Sequence, residues 1–261
     1  MYAMLVRGTA ATMLLLAACP SGADEGAPSG RFGIALGADY STGKYGGTQS
    51  TDVAYFPVMA RYETDRWLVK LTMPYVRITG PGTVVGGDRP IVIDAGGSPQ
   101  RRTESGLGDI GTSVTYSAIA TSRLFLDLTA KIKWGTADES VGLGTGKNDY
   151  ALQTDVYKPL GAFTVFAGIG YRWYGDPPGS DLRNVAFASA GGVYKFGPRL
   201  SAGASFDYRQ PIISGRDPIR ELTPFVAVKL GDSTKVQIYT VRGFSDASSD
   251  WGAGAVLIQS F

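Results

Sequence analysis

The chain has 261 residues, 44 % of them hydrophobic and 18 % charged, with 36 glycines, a net charge of +2, one cysteine and no histidine. The charged share lies below the ~25 % usual in soluble domains; the small net charge excludes a typical nucleic-acid binder, and the apolar, aromatic-rich composition excludes disorder. Without histidine there is no Ser-His-Asp or Cys-His machinery and no histidine metal site, and one cysteine makes neither an internal disulfide nor a zinc finger.

Residues 1–23 read as an export signal. Arg7 gives a short positive region, and Thr9–Ala18 (TAATMLLLAA) is an apolar run too short to span a bilayer as a helix. Ser21 and Ala23 are small residues suited to cleavage after Ala23. A second reading stays open: Leu16-Ala17-Ala18-Cys19 resembles a lipobox, which makes Cys19 a lipidation candidate. Either route takes residues 24–261 out of the cytoplasm as one domain.

From there the chain alternates apolar and polar residues with period 2, the pattern of strands with one greasy and one polar face. Leu124-Phe125-Leu126-Asp127-Leu128-Thr129-Ala130-Lys131-Ile132-Lys133-Trp134 is the clearest case; Trp67–Tyr75 and Leu200–Tyr208 follow it. Twelve such segments are predicted, near 31–42, 50–63, 65–77, 106–119, 122–135, 148–159, 161–174, 183–196, 198–210, 219–230, 233–243 and 249–261. Connections alternate short and long, the longest being 78–105. Long amphipathic strands, an even count and alternating connections predict an all-β fold: a single transmembrane antiparallel up-and-down β-barrel of about twelve strands, in the outer membrane, with both termini periplasmic.

Aromatic residues fall at the strand ends as two girdles. Phe32, Tyr62, Trp67, Phe163 and Phe261 mark the expected periplasmic rim. Tyr40, Tyr75, Trp134, Tyr150, Trp173, Tyr208 and Trp251 mark the external rim. Trp251, Ala253, Ala255, Leu257 and the final Phe261 share one face. That pattern resembles the signal read by the barrel-assembly machinery, although Gln259 stands where an aromatic is usual.

Three motifs look chemical and lack their context. Gly106–Gly111 fits G-x-G-x-x-G but follows a loop and enters a strand, not a helix. Gly142–Lys147 misplaces the first glycine of a phosphate loop, and Ser41–Lys44 lacks the partners of a β-lactamase-type site. The informative polar residues lie on the inward face by parity: Arg61, Lys70, Asp109, Asp127, Lys131, Lys133, Asp155, Arg172, Asp207, Arg209, Glu221 and Lys229, together with Asp39, Glu63 and Lys235. In hydrocarbon a charged side chain costs about 2–4 kcal/mol at the midplane, so these are predicted to line the lumen. Loop 78–105 carries Val84-Val85 and Ile91-Val92-Ile93 around Gly86–Pro90, suited to a small hairpin; two readings stay open, a lid or constriction at the mouth and an exposed mobile loop.

Ser105-Gly106-Leu107-Gly108-Asp109-Ile110, Tyr208-Arg209-Gln210 and the run Gly243–Gly254 resemble the outer-membrane barrels grouped as "MetA-pathway of phenol degradation" proteins. The resemblance implies passive passage of small aromatic or hydrophobic molecules, with no cofactor and no catalytic residue, and it matches Asp109, Arg209 and Asp250 to polar positions of that pattern. The expected partners are outer-membrane lipid, the assembly machinery and a small-molecule solute. The alternative is a plugged structural barrel that docks another envelope protein.

Overall fold

The computed structural model describes residues 30–85, 91–93, 102–177 and 181–261. The expected signal 1–23, with Cys19, lies outside them, as do 86–90 of the long loop. Each alternating segment is a strand: β1 (Arg31–Gly43), β2 (Thr51–Glu63), β3 (Trp67–Gly80), β4 (Thr83–Val84), β5 (Val92–Ile93), β6 (Arg102–Leu107), β7 (Ile110–Ala120), β8 (Phe125–Trp134), β9 (Asp149–Leu160), β10 (Phe163–Trp173), β11 (Val185–Lys195), β12 (Leu200–Arg209), β13 (Ile219–Lys229), β14 (Thr234–Gly243) and β15 (Trp251–Ser260). β4 and β5 form a separate small hairpin.

The other strands pair antiparallel with their neighbours in sequence, and β1 pairs with β15 to close the sheet on itself. β6 and β7 both pair with β3, on either side of Gly108–Asp109, and make one stave in two pieces. The closed barrel therefore has twelve staves, as the alternation predicts. The fourth is longer than expected: it begins at Arg102, so the longest connection shrinks to 81–101. Glycine at 108 and aspartate at 109 favour a break, and the Gly108 N–H donates to the Pro74 carbonyl at 2.8 Å across it.

Strands of 10–14 residues are long enough for the ~9–11 that hydrocarbon requires. Leu36, Val58, Leu128, Leu152, Ile169, Ile238 and Leu257 all point outward and are exposed. Both predicted girdles are present, since all twelve aromatic residues named for them are exposed. Several pack across strands, as do Trp67 with Tyr116 at 4.7 Å and Tyr40 with Trp251 at 5.4 Å between ring centroids. At the seam, Phe32 stacks on Phe261 at 6.1 Å, and the Phe261 N–H donates to the Phe32 carbonyl at 2.8 Å.

An exposed apolar belt is stable only against lipid. Ile169, at mid-strand in β10 and 66 % exposed, tests this. An Ile169→Arg barrel is expected to lose about 2–4 kcal/mol of stability in bilayer vesicles, because arginine at the midplane carries that penalty. Urea unfolding of the vesicle-inserted protein measures it, and unchanged stability would place this face outside the hydrocarbon.

Candidate functional site: the barrel lumen

Inside the barrel the same alternation turns the polar face toward the axis. None of the twelve predicted lumen residues is exposed. Arg61, Asp127, Lys131, Lys133, Asp155 and Arg172 are buried; Lys70, Asp109, Asp207, Arg209, Glu221 and Lys229 are half-buried. Asp39, Glu63 and Lys235 are buried as well. Asp250, matched to the family pattern, is instead exposed in the loop before β15, where its backbone N–H donates to the Thr42 carbonyl at 2.8 Å.

The structure gathers these groups into separate clusters. At the end with the long loops, Nζ of Lys133 lies 3.0 Å from Asp109 and 3.2 Å from Asp149, and donates to the Thr145 hydroxyl at 3.1 Å. The two carboxylates reach onward: Asp109 accepts from the Ala137 N–H at 2.9 Å, and Asp149 from the Gly175 N–H at 3.1 Å. One lysine thus fastens two of the long loops to the wall. Lower on the same wall, Asp127 faces Asp155 across β8 and β9. Asp127 accepts from the Ser117 hydroxyl at 2.8 Å, and Asp155 from the Gln153 amide at 2.8 Å. Across the lumen, Glu221 accepts from the N–H and hydroxyl of Ser249, and Asp39 from the Tyr239 hydroxyl at 2.5 Å. Arg172 and Arg209 lie over the rings of Tyr174 and Phe187.

The polar list omits an aromatic band. Tyr157, Phe166, Phe225 and Tyr239 are buried inside the barrel with Met59, Phe125, Val193, Val256 and Ile258. Parity could have found them, since Tyr157 shares a face with Asp155, and Phe225 shares one with Lys229. A cavity of about 60 Å³ lies beside this band, bordered by Met59, Lys70, Lys131, Lys133, Asp149 and Arg172. That volume suits water rather than an aromatic ring; an engineered cavity that takes benzene is ~150 Å³.

Apolar packing holds the hairpin at the end with the long loops. Alternate residues of the β4–β5 hairpin point to opposite sides. Val84 and Val92 join Tyr45, Val53, Tyr55, Val76, Ile78, Ala137 and Leu143. Val85 and Ile91 join Tyr174, Leu182 and Ile212 from the loops after β10 and β12, and Val185 at the start of β11. Hydrogen bonds fix the hairpin, with the Val84 N–H donating to the Gly142 carbonyl at 3.0 Å and the Val85 N–H to the Ile91 carbonyl at 2.8 Å. Burial pushes the Tyr45 phenol well above its usual range, opposed by its hydrogen bond to Ser41, so it stays neutral within the apolar mouth.

A closed antiparallel barrel with an apolar belt outside, aromatic rims and charges inside is a transmembrane β-barrel of the outer-membrane type. No protein-family model and no curated sequence matches the chain. Among solved structures it is similar to an outer membrane channel from Pseudomonas putida F1. That likeness has 17 % identity and a TM-score of 0.64, over 94 % of this chain and all of that one. It is also similar to the NanC porin, with 9 % identity and a TM-score of 0.56, over 87 % of this chain and 98 % of the porin. At these identities the likeness is one of fold.

Proposed function

We propose that the barrel is an outer-membrane channel for the passive passage of small aromatic or hydrophobic molecules. The observation that carries this reading is the composition of the interior: the aromatic band of Tyr157, Phe166, Phe225 and Tyr239 lies between charged clusters inside a closed barrel. A polar wall keeps the lumen wet, and the aromatic band offers weak, non-directional attraction to an apolar solute. Diffusion down a gradient needs neither cofactor nor catalytic group, and a chain without histidine lacks the most versatile acid–base residue. In this reading the short turns face the periplasm, the long loops face outward, and the assembly machinery inserts the barrel. In this reading the packed hairpin is a lid over the mouth. It also favours the second reading, a permanently plugged barrel that docks an envelope partner.

Planar-bilayer conductance of the purified, folded barrel separates the two. Reproducible steps, and vesicle uptake of a monoaromatic solute faster than through empty lipid, are expected of the channel. Electrical silence without uptake would leave the plugged barrel. Lys131→Ala removes one lumen cation and is expected to shift the reversal potential toward cation preference. An unchanged potential would place Lys131 off the conduction path.

A further inference from the structure

The lumen charges balance in sum but not in place. At the end with the short turns, five cationic side chains face inward: Arg31, Arg61, Lys70, Lys229 and Lys235. On these strands and β15, Glu63 is the one inward carboxylate side chain at that end among the described residues. Two like-charge pairs stand directly opposite one another across the ladder, Arg61 with Lys70 and Lys229 with Lys235. Such pairs destabilise a sheet. They also sense each other around the wall, since Lys235 lies in the field of Arg61, Lys229, Glu63 and Arg31.

Gly33 joins the two pairs. It lies opposite Arg61 on one side and Ser260 on the other. Having no side chain, it lets the Arg61 guanidinium cross β1 and donate to the Ser260 hydroxyl at 3.1 Å. A Cβ at position 33 would lie 2.8 Å from Nε of Arg61. The strands are thus shaped to carry this cation toward Lys235 and Lys229. Directly above the cations begins the apolar band: Met59 is two residues from Arg61, Ala227 two from Lys229, and Ile258 is opposite Lys235.

We infer that this basic crescent is a binding site for the anionic headgroup of a single-chain amphiphile — a carboxylate, sulfate or phosphate — whose hydrocarbon tail parts the packed band of Met59, Phe225, Tyr239 and Ile258 as it binds. From Lys229 to Phe225 the wall rises roughly 13 Å, the reach of a medium-length alkyl chain. The anion would neutralise two repulsive pairs at once. This deepens the channel reading by naming a substrate class for the same lumen, and it rests on that reading only for transport, not for binding.

Native mass spectrometry of the folded barrel counts bound ligand whether or not the barrel conducts. Octyl sulfate, octyltrimethylammonium and octanol are offered at equal concentration, with inorganic sulfate as a headgroup without a tail. Octyl sulfate is expected at one per barrel, at least tenfold above the cationic chain, with octanol between them and sulfate weaker than octyl sulfate. Lys229→Gln with Lys235→Gln is expected to remove most of that preference. Gly33→Ala, which keeps every charge and displaces Arg61, is expected to weaken binding several-fold. Equal retention of the anionic and cationic chains, or sulfate held as tightly as octyl sulfate, would overturn the site. So would an undiminished preference in the double variant. If that variant does not fold, the headgroup preference of the native barrel decides alone. A barrel that binds the anion but passes no solute keeps the site and overturns the channel.

Discussion

Replacing Lys133 by methionine is expected to destabilise the barrel by about 3–5 kcal/mol, the usual effect of removing one partner from a buried charge cluster. The lysine is 8 % exposed, and its partners Asp109 and Asp149 are 5 % and 3 % exposed at the side chain. Methionine keeps the packing and removes the charge. Two carboxylates then remain buried, each still holding a loop N–H, without the ammonium that lies between them. Urea unfolding in vesicles, followed by tryptophan fluorescence, measures the loss. Adding Asp109→Asn and Asp149→Asn to the methionine variant is expected to restore much of it, because uncharged amides need no counterion. A loss under about 1 kcal/mol in the single variant would show that the triad is hydrated and electrostatically weak.

Lifting the hairpin should have the largest effect on passage. Val85 is 1 % exposed, among Ile91, Tyr174, Leu182, Val185 and Ile212. An aspartate there would have no cationic partner among these side chains, and its desolvation would be relieved most readily by local opening. The cluster meets the staves only at strand ends, Val185 of β11 and Ile219 of β13, so Val85→Asp is expected to fold as the native barrel does. Its single-channel conductance should rise several-fold, and the hairpin should become open to protease from the loop side. If conductance stays unchanged while the hairpin becomes cleavable, the barrier lies deeper, at the aromatic band. If neither changes, the hairpin is no lid.

The staves were legible in the sequence because a membrane barrel repeats one physical rule. Each strand is long, alternates strictly and turns back on its neighbour, so parity alone sorted Leu128 from Asp127 and Leu152 from Asp155. The broken fourth stave was less legible. Arg102–Leu107 alternates weakly, and its pairing with Tyr75–Gly80 is decided by β3 rather than by its own residues. The buried polar face was readable as a set of residues but not as an arrangement. Parity assigns a side chain to a face and says nothing of its height along the axis. The opposition of Arg61 with Lys70, of Lys229 with Lys235 and of Asp127 with Asp155 comes from register between strands. A search for polar groups also passed over Phe225 and Tyr239, although they obey the same parity.

The closing seam bears on how the molecule forms. Every other stave pairing joins neighbours in sequence, whereas the contacts of Arg61 with Ser260 and of Tyr239 with Asp39 span 199 and 200 positions. A chain with all its hairpins made but this seam open is a sheet with two unpaired edges, β1 and β15, each able to template pairing with another molecule. Closure of so long a loop is the slow, high-contact-order step, and it is the step that removes both edges. Folding rate and aggregation should therefore respond most to changes at Phe32 and Phe261, and far less to changes of equal size in an interior hairpin.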